Sequence, residues 1–239
     1  MKNHFEILIL MGRPAAGKSE VIDFLKKTPK GERIDRFHIS NFEEIDDFPM
    51  LWTWFEEDAI LEKILKKPRV QTDKDGNFLH QYQWDLLIER ISMEYSKKIR
   101  DEDYKKNYTS ILEFSRGSEH GGYKSAFQHL SDEILEKAAI LYIDVPYEES
   151  LRKNRKRFNP NRPDSILEHG LPDEKLEKMY KEVDWEEFKG NDPEFITIKD
   201  HKIPFVVFYN MPEVTNDFSK LGPVLDKNFK KLWEIKNKG

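Results

Sequence analysis

Gly12-Arg13-Pro14-Ala15-Ala16-Gly17-Lys18-Ser19 stands directly behind an apolar run, Phe5-Glu6-Ile7-Leu8-Ile9-Leu10-Met11. It is followed by Glu20-Val21-Ile22-Asp23-Phe24-Leu25-Lys26, whose apolar residues recur at helical spacing. A strand, a loop of the form G-x-x-x-x-G-K-S and a helix in that order constrain the chain more than anything else in it. In such a turn the backbone N–H groups line a concave nest, and the helix N-terminus adds positive potential. The spacing predicts that Gly12, Arg13, Pro14, Ala15, Ala16, Gly17, Lys18 and Ser19 hold the phosphates of a nucleoside triphosphate. Lys18 would reach the β- and γ-phosphates, and the Ser19 hydroxyl would ligate Mg²⁺.

Four further apolar, β-rich runs follow: Arg33 to Ile39, Thr109 to Phe114, Ala139 to Val145 and Ile203 to Tyr209. Helical stretches alternate with them, so the expected fold is α/β, with a mainly parallel five-stranded sheet between two layers of helices. Two stretches are too long for simple crossovers. Residues 42–107 carry a helix near Leu51 to Lys66, a hairpin from Val70 to Leu79 turning at Asp75-Gly76, and a helix near Gln81 to Arg100. Residues 147–200 carry the basic run Arg152 to Arg157, a Pro/Asn-rich break and a helix near Asp173 to Val183. Insertions of this size are expected to grip an acceptor or to close as a lid. A further helix is expected to include Ala126 to Lys137.

Glu113 ends the third predicted strand, where a carboxylate could order Mg²⁺ through water, and Arg116 follows it. Arg152, Arg155 and Lys156 share one helix face, with Arg157 and Arg162 at or beyond its end. Guanidinium groups suit a transferring phosphoryl group, whose charge spreads over its equatorial oxygens; a solvated helix face is the structural alternative. Trp54 and Trp84 lie in aromatic clusters that could stack on a flat base or a sugar, or simply fill the insertion. Asp35 and the run Glu43-Glu44-Ile45-Asp46-Asp47 offer carboxylates to a hydroxyl acceptor, the run reading otherwise as a solvent-facing loop.

The order of strand, phosphate loop, Asp144-Val145-Pro146 and Arg-rich helix resembles the P-loop small-molecule kinases, especially the nucleoside monophosphate kinase group. Glu113-Phe114-Ser115-Arg116-Gly117 stands where that family has Asp-Gly-Phe-Pro-Arg, and Arg162-Pro163-Asp164 is similar to its lid signature. The resemblance implies a three-layer P-loop fold and ATP-dependent transfer to a small-molecule acceptor. Lys18, Arg116, Arg157 and Arg162 would be the catalytic cations. A nucleotide-dependent switch and a polynucleotide end kinase are the alternatives, since one scaffold hosts many activities.

Other classes fall away. A net charge of −5 over 239 residues argues against a protein that coats nucleic acid, although a local basic groove could still bind it. No cysteine is present, which excludes disulfides and thiolate metal sites and fits a cytoplasmic address. No apolar stretch approaches a membrane span, and no paired histidine spacing suits a metal. An Asn-Lys-x-Asp motif for reading guanine is missing, so the loop does not read as that of a GTPase. Oligomeric state is not legible.

Overall fold

The computed structural model describes residues 2–157, 161 and 170–238. The chain runs β1 (Ile7–Gly12), α1 (Lys18–Lys27), α2 (Lys30–Phe37), β2 (Asn41–Asp46), α3 (Asp47–Lys63), α4 (Tyr82–Lys98), α5 (Glu102–Asn107) and β3 (Tyr108–Phe114). After a 3₁₀ turn at Ser118–His120 come α6 (Gly122–Gln128), α7 (Asp132–Lys137), β4 (Ala138–Asp144) and α8 (Tyr147–Arg157). The chain closes with α9 (Asp173–Tyr180), α10 (Trp185–Lys189), β5 (Phe195–Ile198), β6 (His201–Tyr209) and α11 (Phe218–Lys236).

The strands form one sheet in the order β2-β3-β1-β4-β6-β5, parallel except for the last pairing. All six residues of β1 are buried, as a central strand in a three-layer fold must be. Ile7, Ile9 and Met11 face one core with residues of α4, α6 and α7, while Leu8 and Leu10 face the other with residues of α1 and α11. The fold is therefore a three-layer α/β fold with a mainly parallel sheet, with six strands in place of five. The extra strand is β5, four residues long, antiparallel and on the sheet edge.

Three local expectations are corrected. Arg33 to Ile39 is not the second strand: Arg33 and Phe37 are buried four residues apart on α2. The Arg33 guanidinium donates to the carbonyls of Leu25, Thr28, Ile39 and Ser40, tying the loops around that helix. The true second strand, Asn-Phe-Glu-Glu-Ile-Asp, sits at the opposite sheet edge and has only Ile45 buried. Charges on an edge strand discourage pairing with other chains and hide the strand from a hydrophobicity reading. The helix expected over Ala126 to Lys137 is two helices, because the chain turns between Gln128 and Asp132.

The 147–200 stretch also divides. Its later part is anchored in the core: Trp185 stacks on Tyr142 of β4 at 3.8 Å between ring centroids, and Leu176 is fully buried. Gly117 permits this docking, since a Cβ there would lie 1.7 Å from the Met179 carbonyl oxygen. Among the described residues no helix is long and apolar enough to cross a membrane.

Candidate functional site

β1 delivers the chain into the loop from Gly12 to Ser19 at the C-terminal edge of the sheet, where ligands of open α/β folds sit. Gly12 is required there: with φ 153° it lies so close to β4 that a Cβ would stand 2.6 Å from the Ile143 carbonyl oxygen. Side chains from distant segments hold the loop's outer surface. Ser150 Oγ donates to the Pro14 carbonyl at 2.7 Å, and the fully buried Asn210 amide donates to that of Ala16 at 2.9 Å. Arg13 spans outward, donating to the carbonyls of Val145, Tyr180 and Lys181. Asn210 and Ser150 bear no sequence signal beyond their positions after a strand and early in a helix.

Lys18 is folded back over the loop and is only 7% exposed. Its ammonium donates to Ser115 Oγ at 2.8 Å and to the carbonyls of Arg13 (3.3 Å) and Gly12 (3.4 Å). Glu113 Oε1 lies 3.8 Å away. Ser115 in turn donates to the Gly12 carbonyl at 2.8 Å, so the end of β3 is latched to the loop. Ser19, one residue on, is exposed at the first turn of α1.

Opposite Lys18 stands an acidic pair set by strand register. Asp46 and Glu113 are direct neighbours across the parallel β2–β3 ladder. Each alternates with residues of the α4 core, Ile45 on one strand and Leu112 and Phe114 on the other, so both turn to the face of α1. Like charges side by side repel. Burial, Glu113 and Asp47 push the Asp46 carboxyl up to about 8, against the opposing pull of the Phe48 N–H and Lys18. Burial likewise raises Glu113; Lys18 and the Arg157 charge from the end of α8 pull it back.

Asp47, the next residue, has a different fate. It pairs with the Arg116 guanidinium at 2.5 Å, and both side chains are buried. Arg116 also donates to the carbonyls of Ser115 (2.8 Å) and Trp84 (3.1 Å), which pins α3, α4 and the end of β3 together. The rest of the acidic run faces outward: Glu43 pairs with Lys98, and Glu44 with Lys26 at 2.6 Å. The run is a strand up to Asp46, Asp47 opens α3, and only these last two acids reach the site.

The structure thus brings Lys18, Glu113, Arg116 and the charge of Arg157 to one place, and it adds Asp46, Asp47 and Ser115. Arg162 lies outside the described residues. Arg152 and Arg155 are held by acids, Arg152 by Glu149 and Glu213 and Arg155 by Asp173. Asp35 is not at the site: it is exposed on α2. That helix ends beside Phe5, at the start of β1 and the opposite edge of the sheet from the loop. Trp84 lines a cavity of about 470 Å³ between the 42–107 insertion and α9, whereas Trp54 packs 5.5 Å from Phe78 within the insertion's own core.

Among the described residues no group of three or more His, Cys, Asp or Glu is arranged to hold a metal by itself. Mg²⁺ needs no such group, because it takes most of its oxygens from phosphate and water. An exposed hydroxyl at Ser19 and an under-neutralised pair of carboxyls fit that ion.

No protein-family model and no curated protein matches the sequence. Solved structures do resemble it. An unliganded sugar kinase from a Janibacter species is 10% identical, with 94% of this chain and 95% of that one covered and a TM-score of 0.41. The protein APE1195 is 13% identical over 96% and 98% of the two chains, at 0.43. Shikimate kinase from Acinetobacter baumannii, in complex with shikimate, is 14% identical over 73% and 75%, at 0.34.

Proposed function

We propose that this protein transfers the γ-phosphoryl group of ATP to a hydroxyl group of a small molecule. The triphosphate would lie on the loop from Gly12 to Ser19, and Lys18 would exchange its present carbonyl and Ser115 contacts for phosphate oxygens. Ser19, with Glu113 acting through water, would hold Mg²⁺, which supplies positive charge to the β- and γ-oxygens. As the acceptor oxygen bonds to the γ-phosphorus, the bond to the bridging oxygen breaks and ADP leaves with that electron pair. The acceptor's proton passes to Asp46. Arg157, with Arg162 further along, would carry guanidinium charge to the equatorial oxygens, while Arg116 positions the site through Asp47 and Trp84.

Asp46 carries the reading. A carboxyl raised towards neutrality at the mouth of a phosphate loop accepts a proton near physiological pH far better than an ordinary one, at little cost in driving force. A phosphate acceptor would need cations facing it, yet Arg116 is engaged by Asp47 and the neighbouring groups are acids. ADP formation from Mg·ATP, measured against a panel of alcohols and of phosphate monoesters, tests the assignment. Stimulation above basal hydrolysis by alcohols is expected. Stimulation by monoesters alone would overturn it.

A further inference from the structure

One hydroxyl, on Ser115, holds both the loop and its lysine. Strand register brings it there: Met11 is paired with Phe114 across the parallel β1–β3 ladder, so the next residues along, Gly12 and Ser115, come side by side where the strands end. The Ser115 proton goes to the Gly12 carbonyl at 2.8 Å. A hydroxyl has one proton and two lone pairs, so in its 2.8 Å contact with Lys18 Ser115 is the acceptor. The backbone behind it is fixed as well. Its carbonyl accepts from Arg116, and Arg116 is held in turn by Asp47 and the Trp84 carbonyl.

That bond completes the ammonium's set. Lys18 has three N–H groups and meets three acceptors: Ser115 Oγ at 2.8 Å, and the Arg13 and Gly12 carbonyls at 3.3 and 3.4 Å. The Glu113 carboxylate oxygen, at 3.8 Å, is beyond hydrogen-bond reach. A phosphate oxygen therefore gains this ammonium only by drawing it away from acceptors it already has. Of these the Ser115 bond, short and charge-assisted, costs most to give up.

We propose that Ser115 is a positioning residue for Lys18: it holds the ammonium in a resting pose against the loop and so sets the cost of admitting a polyphosphate. The cost rests on the transfer reading above, in which the loop takes Mg·ATP; the resting pose rests on the side-chain geometry alone. A bond made only in the free protein lowers affinity by as much as it stabilises that state. The bond from Ser115 to the Gly12 carbonyl belongs to both states and cancels. Removing the hydroxyl should then tighten triphosphate binding, whereas loss of a residue that only supports the loop would weaken it.

The two parts are tested separately on the full chain. Without nucleotide, acetylation of Lys18 by acetic anhydride, followed by mass spectrometry of its peptide, should be about fivefold faster in Ser115→Ala than in the wild type. Ser115→Thr, which keeps the hydroxyl, should restore the slow rate. In calorimetric titration Ser115→Ala should bind Mg·ATP about three- to tenfold more tightly than the wild type. On a Lys18→Ala background the same substitution should change affinity by less than about twofold, because it acts through the ammonium. Near-UV circular dichroism checks that the variants fold. Faster acetylation in Ser115→Ala, with Mg·ATP bound by none of the proteins, supports the resting pose and overturns the transfer reading instead. Unchanged acetylation, or Mg·ATP binding that Ser115→Ala weakens, overturns the inference and leaves the transfer reading standing, as does an equal tightening on the Lys18→Ala background.

Discussion

Asp46, at the mouth of the phosphate loop, and Asp58, in the 42–107 insertion, come from the same acid-rich stretch of chain and meet opposite surroundings. Asp58 is fully buried, and burial alone would raise its pKa. Four hydrogen bonds outweigh burial and lower it: from the N–H groups of Val70, Gln71 and Thr72 and from the Thr72 hydroxyl. Asp46 accepts one bond, from the Phe48 N–H at 3.0 Å, and faces Glu113 across the ladder. Both carboxyls are desolvated, and the number of donors against the number of like charges decides the sign. One becomes a fastening for the hairpin that walls the cavity. The other is left with basicity to spend.

That contrast implies that variants at the mouth lose turnover and keep the fold, whereas variants in the insertion do the reverse. The largest effect is expected for Lys18→Ala. Removing a lysine whose ammonium bonds to the loop's own carbonyls should cut turnover by about 10³-fold, roughly 4 kcal/mol at the transition state, with an unchanged circular dichroism spectrum. Next comes Asp58→Ala. It strands the N–H groups of Val70, Gln71 and Thr72, that of Thr72 buried, and should cost about 3 kcal/mol of stability. For a chain of this size that lowers Tm by about 6–12 °C in a calorimetric scan.

A smaller effect carries the more specific sign. A carboxyl whose folded pKa is raised contributes stability that is fully present below its unfolded value, about 4, and lost as pH rises through the folded one. Asp46→Asn removes that loss and keeps a helix-capping side chain. Its Tm should match the wild type near pH 4 and exceed it increasingly towards pH 8. A gain that did not depend on pH would break the contrast with Asp58. The smallest effect is expected for Asp35→Ala, exposed on α2 at the far edge of the sheet: stability within about 0.5 kcal/mol and turnover unaltered.

The halves of the site differ in how far the sequence reveals them. A loop of this kind depends on backbone curvature, which is written in contiguous residues, so the candidate loop from Gly12 to Ser19 can be read directly. Glu113 is legible too, because it ends an apolar strand. Asp46 is hidden by its own strand, whose Phe-Glu-Glu-Ile-Asp alternation on a sheet edge reads as an acidic loop. Only the β2–β3 register shows that its last acid, and not Glu43 or Glu44, faces Lys18. Asp35 misleads for the complementary reason: Ile34, Phe37 and Ile39 suggest a strand, yet Arg33 and Phe37 are buried at helical spacing. In the insertion, aromatic residues announce a hydrophobic interior without saying which ring faces a cavity. Trp84 does and Trp54 does not, and that difference rests on how the Val70 to Leu79 hairpin folds against α3.

The central claim is that the phosphate loop works with Asp46 as the base for a hydroxyl acceptor. It is tested most directly by acceptor-dependent ADP formation in wild type and Asp46→Asn across pH 5 to 9, with Mg·ATP affinity measured alongside. The account predicts a wild-type rate that climbs with pH as the raised carboxyl loses its proton. It also predicts a variant slower by about 10²–10³-fold that lacks that limb and binds Mg·ATP within about threefold of wild type. Acceptor-dependent turnover in Asp46→Asn at the wild-type rate, with the same pH profile, would contradict it.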